Sequence, residues 1–355
     1  MTENIEPKQI TAAQPKPWLE QKLFAWFTPA LLILALIVLV SLGFHLHNLD
    51  AIGDANTYYT AAVEAMLDSW SNFFFVAAEP GGSVTVDKPP LGLWMEAAFA
   101  FVFGVNGIAV SMPNILAGLF SIPLMYYLVK KYLGAGPGLA AAAVMAFTPV
   151  AFAADRNNTM DSMLTFTLLL AAWAFIVATE RGQLRYLLLG GLIIGLGFNI
   201  KMMQAFLPLP AFFALYFFAS KHGWGRKLFN LGLTTLVIAV VSLSWALAVD
   251  AVPADQRPYI GSSTDNTVME LIVGHNGLNR LFGGGGNRQT AENLQSPQDG
   301  DGQPVLPQSQ TGQRPAGPPD GNPTGQFPAS PPDQGGQAPA GQSGGAFSDE
   351  IGSTG

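Results

Sequence analysis

Asp87 and Lys88 stand directly before Pro89 and Pro90, and this short charged motif is the strongest chemical signal in the sequence. Two consecutive prolines keep the preceding residues out of a helix and favour the start of a new one. The charged pair is therefore predicted to lie in extended chain just ahead of a helix. An ammonium held there can bind an anion, and a carboxylate can accept a proton. A turn would explain the prolines but not the two charges.

Two further polar segments have residue types suited to the same chemistry. Residues 155–162 include Arg156, Asn158 and Asp161, and Lys201 ends a glycine-rich apolar run. Each has a simpler interpretation that stays open. Asp161 follows Asn158 at the capping-box offset, so both could serve only to start a helix. The ammonium of Lys201 could reach the lipid headgroups.

The composition is typical of a membrane protein. Of the 355 residues, 49% are hydrophobic and only 12% are charged, which is too apolar for an ordinary soluble protein. The absence of cysteine excludes disulfides, thiolate catalysis and cysteine-based zinc sites. A membrane-spanning helix needs roughly 17–25 apolar residues. Seven runs approach that length and predict about seven spanning helices: 27–44, 108–129, 137–154, 163–179, 186–200, 205–219 and 229–249.

An eighth apolar run, residues 91–104, decides the predicted topology. It is shorter than a span needs, which favours a helix lying at the membrane interface. If it does not cross, most lysines and arginines of the loops fall on the side of the lysine-bearing N-terminus, as the positive-inside rule expects. The N-terminus is then cytoplasmic, and everything after Val249 lies outside. Three basic residues before residue 250 face outward in this arrangement: Lys88, Arg156 and Lys201.

The outer loop of residues 45–106 is predicted to contain an amphipathic helix. Tyr59, Val63, Met66, Leu67 and Trp70 recur at helical spacing, which suits a helix lying in the headgroup layer. Asp54 or Asn56 could cap this helix. His45 and His47 could bind a metal, but two histidines beside a membrane interface more commonly have no such role.

The order of these motifs resembles a known superfamily. The segments DKPPLGLW, NNTMDS and GLIIGLGFNIK, with two spans between the first two, are similar to the polyprenyl-phosphate-sugar-dependent glycosyltransferases of the GT-C fold. These are the protein O-mannosyltransferase and aminoarabinose transferase superfamily, and particularly its bacterial mannosyltransferase-like branch. The resemblance implies an all-α integral membrane protein with a GT-C-like multi-helix transmembrane bundle and outer juxtamembrane helices. The disordered C-terminal tail is predicted from composition and departs from the family pattern.

The resemblance also implies site residues and partners. Such enzymes take a sugar from a polyprenyl-phosphate donor at the outer face and pass it to an envelope lipid, polymer or protein. Cations can hold the donor phosphate, and a carboxylate can accept the proton of the acceptor hydroxyl. The implied phosphate-binding residues are Lys88, Arg156 and Lys201. The implied catalytic carboxylates are Asp54, Asp87 and Asp161. Supporting roles are expected for Asn56, Tyr59, Asn158, Arg257 and Arg280.

The general base is left open by the resemblance. The superfamily's acidic pair in the first loop falls on Ala55 and Asn56, which carry no carboxylate. Asp54 just before them is the favoured base, and Asp87 is its rival. No cofactor and no nucleic acid are expected. A metal is not required, although a divalent cation could assist.

The expected organisation has three parts. A cytoplasmic segment (1–26) precedes a transmembrane glycosyltransferase-like domain (27–282), and a tail rich in Gly, Pro and Gln (283–355) is expected to be disordered and outside the membrane. The resemblance ends near Arg280, which suggests a shortened member of the family. Alternatives are a transporter that binds phosphate lipids without chemistry, or a non-catalytic envelope subunit whose tail recruits partners.

Overall fold

The computed structural model describes residues 17–23 and 27–278, with side chains described as far as Gly274. The described residues are helical and contain no strand longer than an isolated bridge. Short 3₁₀ turns lie at Trp18–Glu20, Leu49–Ile52 and Met202–Phe206. In chain order the α-helices are α1 Pro29–Leu46, α2 Thr57–Asp68, α3 Trp70–Phe75, α4 Pro90–Phe103, α5 Gly107–Leu133, α6 Ala135–Phe147, α7 Pro149–Asp155, α8 Asp161–Arg181, α9 Leu184–Lys201, α10 Leu209–Ala219, α11 Trp224–Asp250 and α12 Val268–Glu270, which continues as a π-helix at Leu271–Leu278.

The number of spanning helices is lower than the seven predicted. Among the described residues, five segments are long and apolar enough to cross a membrane: α1, α5, α8, α9 with its following 3₁₀ turn, and α11. α6 and α7 are bent by 59° and make a sixth span only if they count as one. α10 has 11 residues, because Pro208 and Pro210 start it late within the apolar run. The run 205–219 was therefore wrongly predicted to be a spanning helix.

The predicted short helix after the two prolines is confirmed. α4 has 14 residues and begins at Pro90, and Pro89 before it is extended with φ −72° and ψ 163°. The extended geometry follows from the restriction that a proline places on the residue before it. Asp87 and Lys88 therefore precede the helix, as the sequence predicted.

The amphipathic helix of the outer loop exists, but its apolar face is not in the headgroup layer. Val63 and Met66 on α2 are buried in the main core, while Glu64 is exposed. Trp70 was wrongly placed on this face, because α2 ends at Asp68 and Trp70 begins α3 with 83% of its surface exposed. The helix packs onto the bundle because α4 offers an apolar surface beside it.

The basic loops of the bundle gather at one end. Lys131 at the end of α5 forms an ion pair with Glu180 at the end of α8. His222, ahead of α11, contacts the carbonyl oxygen of Gly182 through Nε2 at 2.8 Å. Arg181 donates to the hydroxyl of Tyr186 at 3.1 Å. These contacts agree with the predicted grouping of the basic loops on one side of the membrane.

The opposite end holds the polar segments singled out in the sequence. A strap of residues 257–268, which follows α11, pairs there with the loop before α4. Thr85 donates its backbone N–H to the carbonyl of Tyr259 at 2.9 Å, and Tyr259 donates to that of Ser83 at 2.8 Å. The core beneath is built from α2, α4, α8, α9 and α11, including Leu93, Met160 and Ile200.

Candidate functional site

Asp87 and Lys88 form an ion pair with each other just before the N-terminus of α4. The side chain of Lys88 is only 7% exposed and that of Asp87 is 20% exposed, so both charges are partly removed from water. The ammonium also lies 6.0 Å from the ring centre of Tyr59 on α2, at the outer limit of a cation–π contact. A partly desolvated lysine next to an aromatic ring is well placed to exchange its carboxylate for another anion.

The pKa of Tyr58 on α2 is affected by burial and by the negative charge of Asp87. Burial raises the pKa of the Tyr58 phenol above its ordinary value of 10.0, and the nearby carboxylate of Asp87 raises it further. A backbone hydrogen bond involving Asp87 opposes the shift. The neutral phenol is therefore favoured beside the charged pair, where its hydroxyl can act as a hydrogen-bond donor.

Lys201 and Asp161 form the second ion pair of this end. The ammonium of Lys201 also donates to the carbonyl of Thr159 at 3.1 Å. Its side chain is 11% exposed, whereas that of Asp161 is 47% exposed. The interpretation of Lys201 as a residue extended toward lipid headgroups is wrong, because its charge is held by the loop before α8.

Asn158 joins that loop to the start of α2. Its Oδ1 accepts from the backbone N–H of Asn56 at 2.8 Å, and its Nδ2 donates to the hydroxyl of Thr60 at 3.1 Å. The capping-box interpretation of Asn158 and Asp161 is therefore wrong, since the residue before α8 is Met160, with φ 63° and no side-chain cap. Asn56 does cap α2, with its Oδ1 accepting from the backbone N–H of Tyr59 at 3.3 Å.

Asp54 lies beside this junction. It is exposed, and its backbone carbonyl accepts from the hydroxyl of Thr60 at 2.7 Å. The hydroxyl of Thr60 thus bridges the two residues, because it donates to the carbonyl of Asp54 and accepts from Nδ2 of Asn158. The neighbouring Gly53 touches the start of α5 so closely that a Cβ at Gly107 would overlap its carbonyl oxygen.

Met160 packs against the first turn of α4. It is fully buried and stands immediately before Asp161, and a Cβ at Gly92 in α4 would come within 2.7 Å of its Cγ. Gly92 lies in the first turn of α4, just after Lys88. The two lysine–carboxylate pairs thus flank one buried cluster at the same end of the bundle.

Arg156 and Arg257 have structural partners. Arg156 donates to the backbone carbonyl of Asn48 at 2.7 Å and lies over the ring of Phe152. Arg257 in the strap donates to the carbonyls of Val249 at 2.7 Å and Asn266 at 2.6 Å, and pairs with Asp250 at 3.1 Å. Arg280 and the predicted tail lie outside the described residues.

A buried His45–Asp155 pair was missed by the sequence interpretation. Nε2 of His45 is 2.9 Å from a carboxylate oxygen of Asp155, and Nδ1 is 2.7 Å from the carbonyl of Ser41. Ser41 is four residues before His45 on α1, and this spacing was a sequence signal for the contact between those two residues but not for the pairing with Asp155. Asp155 and Asp161 both line a cavity of about 330 Å³ between α5, α6, α7 and α8.

No group of three or more His, Asp or Glu side chains that could hold a metal ion occurs among the described residues. The chemical groups that the site brings together are two ammonium–carboxylate pairs, a phenol and several amide donors. Such a set can bind an anion and accept a proton from a hydroxyl group.

The fold is that of a multi-pass helical membrane protein, with charged side chains gathered at one end of the helix bundle. A family model described as "Dolichyl-phosphate-mannose-protein mannosyltransferase" matches residues 87–245, beginning at the charged motif. The chain is 44% identical over 284 residues to "Putative mannosyltransferase YycA" of Bacillus subtilis (strain 168), which covers 76% of this chain and 41% of that protein.

More distant matches belong to aminoarabinose transferases. The "Undecaprenyl phosphate-alpha-4-amino-4-deoxy-L-arabinose arabinosyl transferase" of Pseudomonas paraeruginosa (strain DSM 24068 / PA7) is 33% identical over 208 residues, 56% of this chain and 36% of that one. The crystal structure of ArnT from Cupriavidus metallidurans in the apo state aligns with TM-score 0.48 and 19% identity over 63% of this chain and 43% of that chain.

The family model and the sequence relatives support the assignment of this chain to the GT-C glycosyltransferase superfamily. It spans about two fifths of the length of the curated relatives that it matches. The superfamily resemblance drawn from the DKPPLGLW, NNTMDS and GLIIGLGFNIK segments is thereby confirmed.

Proposed function

We propose that this chain carries the residues of a membrane glycosyltransferase that bind the phosphate of the donor and accept the proton of the acceptor. The reaction moves a hexose, mannose-like or glucose-like, from a polyprenyl-phosphate donor to an envelope acceptor at the outer face of the membrane. The observation that carries the proposal is that Lys88 and Lys201, far apart in sequence, are each paired with a carboxylate around the same buried cluster.

The proposed role of the lysines follows from the charge change during transfer. The bond between the anomeric carbon and a phosphate oxygen breaks, so negative charge grows on the departing polyprenyl phosphate. Ammonium groups placed at that oxygen stabilise the transition state more than the ground state. Arg156, at the same end of the bundle, is proposed to contribute to binding the donor.

The proposed role of the carboxylates follows from the ion pairs. A donor phosphate that binds Lys88 or Lys201 competes with Asp87 or Asp161 for the ammonium. A carboxylate released in this way can accept the proton of the acceptor hydroxyl as its oxygen bonds to the anomeric carbon. Asp54, which the sequence interpretation favoured as the base, is exposed beside the junction and remains a candidate.

The first prediction concerns these roles and is tested with the full chain in lipid vesicles, a radiolabelled polyprenyl-phosphate hexose and envelope extract. Asp87→Asn is expected to lose transfer by about 100-fold or more while keeping donor binding. Lys88→Met and Lys201→Met are expected to weaken donor binding by about tenfold or more. Asp54→Asn, compared with Asp87→Asn, identifies the base.

Lys221→Met is the matched control, because Lys221 is an exposed lysine before α11 at the opposite end of the bundle. It is expected to leave binding and transfer unchanged. Donor binding without transfer by a well-folded wild type would instead favour a phosphate-lipid carrier. The same result in all variants would contradict the proposed site.

A further inference from the structure

A buried acid–amide pair lies between α4 and α5. The side chains of Glu96 on α4 and Asn114 on α5 are both completely buried. Nδ2 of Asn114 donates to Oε1 of Glu96 at 3.3 Å. Oε2 of Glu96 and Oδ1 of Asn114 have no hydrogen-bond partner, although both are buried. Each side chain thus has one atom bonded and one atom left over.

The atoms left over are complementary only if the acid carries its proton. A carboxylate Oε2 and an amide Oδ1 are both acceptors, so they cannot bond each other. A protonated Glu96 has an O–H that can donate to Oδ1 of Asn114, which closes a two-bond ring between the acid and the amide. A charged carboxylate without a cation would be costly at a completely buried position.

We propose that neutral Glu96 and Asn114 form a two-bond clasp that sets the position of α4 on α5, and that Glu96 thereby positions Lys88 and Asp87. The positioning role rests on the proposed function, because it assumes that Lys88 and Asp87 bind the donor. The clasp itself is independent of that function. Glu96 is a positioning residue, because it acts on the site through α4.

The geometry of α4 explains how the clasp reaches the site. Gly92, Leu93, Glu96 and Ala97 form one buried face of α4, and Glu96 lies one turn beyond Gly92. Gly92 packs on Met160 ahead of Asp161. A slip of α4 along α5 would therefore change the position of Lys88 relative to the Asp161–Lys201 pair.

The protonation behaviour of Glu96 agrees with this geometry. Burial raises the pKa of the Glu96 carboxyl well above its ordinary value of 4.5, and the hydrogen bond from Asn114 opposes the shift. Apart from Tyr126, which is completely buried on α5, the ionisable groups on the helices packed against α4 lie on exposed faces or toward helix ends: Tyr58, Tyr59, Glu64 and Asp68 on α2, Tyr127, Lys130, Lys131 and Tyr132 on α5, and Arg185, Tyr186 and Lys201 on α9.

The second prediction concerns variants of the full chain in which the acid and the amide of the clasp are substituted singly or exchanged. Glu96→Gln replaces the neutral acid by an amide that can make the same two bonds, so the Kd for polyprenyl phosphate should change less than twofold. Asn114→Asp places two acids in the clasp and is expected to raise that Kd by about tenfold or more. The double variant Glu96→Gln with Asn114→Asp restores an acid–amide pair and should recover the affinity.

Thermal unfolding against pH gives a readout that is independent of donor binding. Between pH 4.5 and the raised pKa, the folded wild type holds a proton that the unfolded chain releases, so its stability falls as the pH rises. The Glu96→Gln variant lacks this slope. The gap between their unfolding midpoints should therefore widen as the pH rises from 4.5 toward the raised pKa of Glu96.

The control is Glu64→Gln on the exposed face of α2, which should keep the wild-type slope and affinity. Parallel pH curves for the wild type and Glu96→Gln, or a failure of the double variant to recover from Asn114→Asp, would overturn the clasp. If the clasp passes the stability test but no variant alters the Kd for polyprenyl phosphate, then the positioning role is wrong. An absence of transfer by the wild type would bear only on the proposed function.

Discussion

Both lysines of the candidate site are neutralised by neighbouring carboxylates. This arrangement limits the cost of placing an ammonium at sites that are only 7% and 11% exposed. It also makes anion binding an exchange of partners, in which a phosphate must compete with Asp87 or Asp161. In the proposed reaction, this exchange would link donor binding to the release of a carboxylate.

Asn158 is the residue through which the loop before α8 holds α2. It is completely buried and makes one hydrogen bond to the backbone of Asn56 and one to Thr60. Both partners belong to the start of α2, which also carries Tyr58 and Tyr59 beside the charged pair. Loss of this amide would leave the backbone N–H of Asn56 without its partner and remove one of the two hydrogen bonds of the Thr60 hydroxyl.

The third prediction is that Asn158→Leu lowers the free energy of unfolding by about 1–3 kcal/mol, because buried polar groups lose their partners. Chemical unfolding in detergent, followed by tryptophan fluorescence, measures the change. Thr57→Ala at the exposed first residue of α2 is the control and should remain within about 0.5 kcal/mol. Equal stabilities for wild type and Asn158→Leu would mean that the junction contributes nothing.

At the level of elements, α9 is packed through its glycines. A Cβ at Gly195 would lie 2.6 Å from Cβ of Val241 on α11, and one at Gly190 would lie 2.8 Å from the ring of Phe175 on α8. The absence of side chains allows α9 to approach both helices closely, as is common between membrane helices. This close packing fixes the orientation of α9 and therefore the position of Lys201 at its end.

The fourth prediction is that Gly195→Ala destabilises the protein by about 1–3 kcal/mol, because its new methyl group must displace Val241. Gly232→Ala in α11 is the matched control, since a Cβ there meets open space. Unfolding midpoints of the two variants in the same detergent provide the comparison. A Gly195→Ala protein as stable as the Gly232→Ala protein would show that α9 can move apart without cost.

The sequence predicted individual helices more easily than the contacts between side chains of different helices. The two prolines were enough to predict α4, because their effect on the chain is local. The failure at residues 205–219 came from weighing apolar length above Pro208 and Pro210. The pairing of Lys201 with Asp161 and of His45 with Asp155 depends on how separate helices pack, and a single sequence does not contain that information.

On the scale of the whole molecule, the charges divide between two ends. Lys131, Arg181 and His222 contact residues at one end, and the two lysine–carboxylate pairs lie at the other. The positive-inside rule predicts that the first end is cytoplasmic. The candidate site would then face outward.

The fifth prediction uses the absence of cysteine from the sequence. In sealed cells, a membrane-impermeant maleimide is expected to label Ser83→Cys, in the exposed loop before α4, and not Lys221→Cys, before α11. Permeabilised cells should show labelling of both variants, which controls for reactivity. The reverse pattern in sealed cells would place the candidate site on the cytoplasmic side.

The strap over the loop before α4 has a consequence for biosynthesis. Thr85 and Ser83 emerge early from the ribosome, but their backbone partner Tyr259 follows the last described spanning helix. Until α11 has entered the bilayer, the nascent chain cannot complete these bonds. The segment that carries Asp87 and Lys88 therefore reaches its final geometry only after α11 has been inserted.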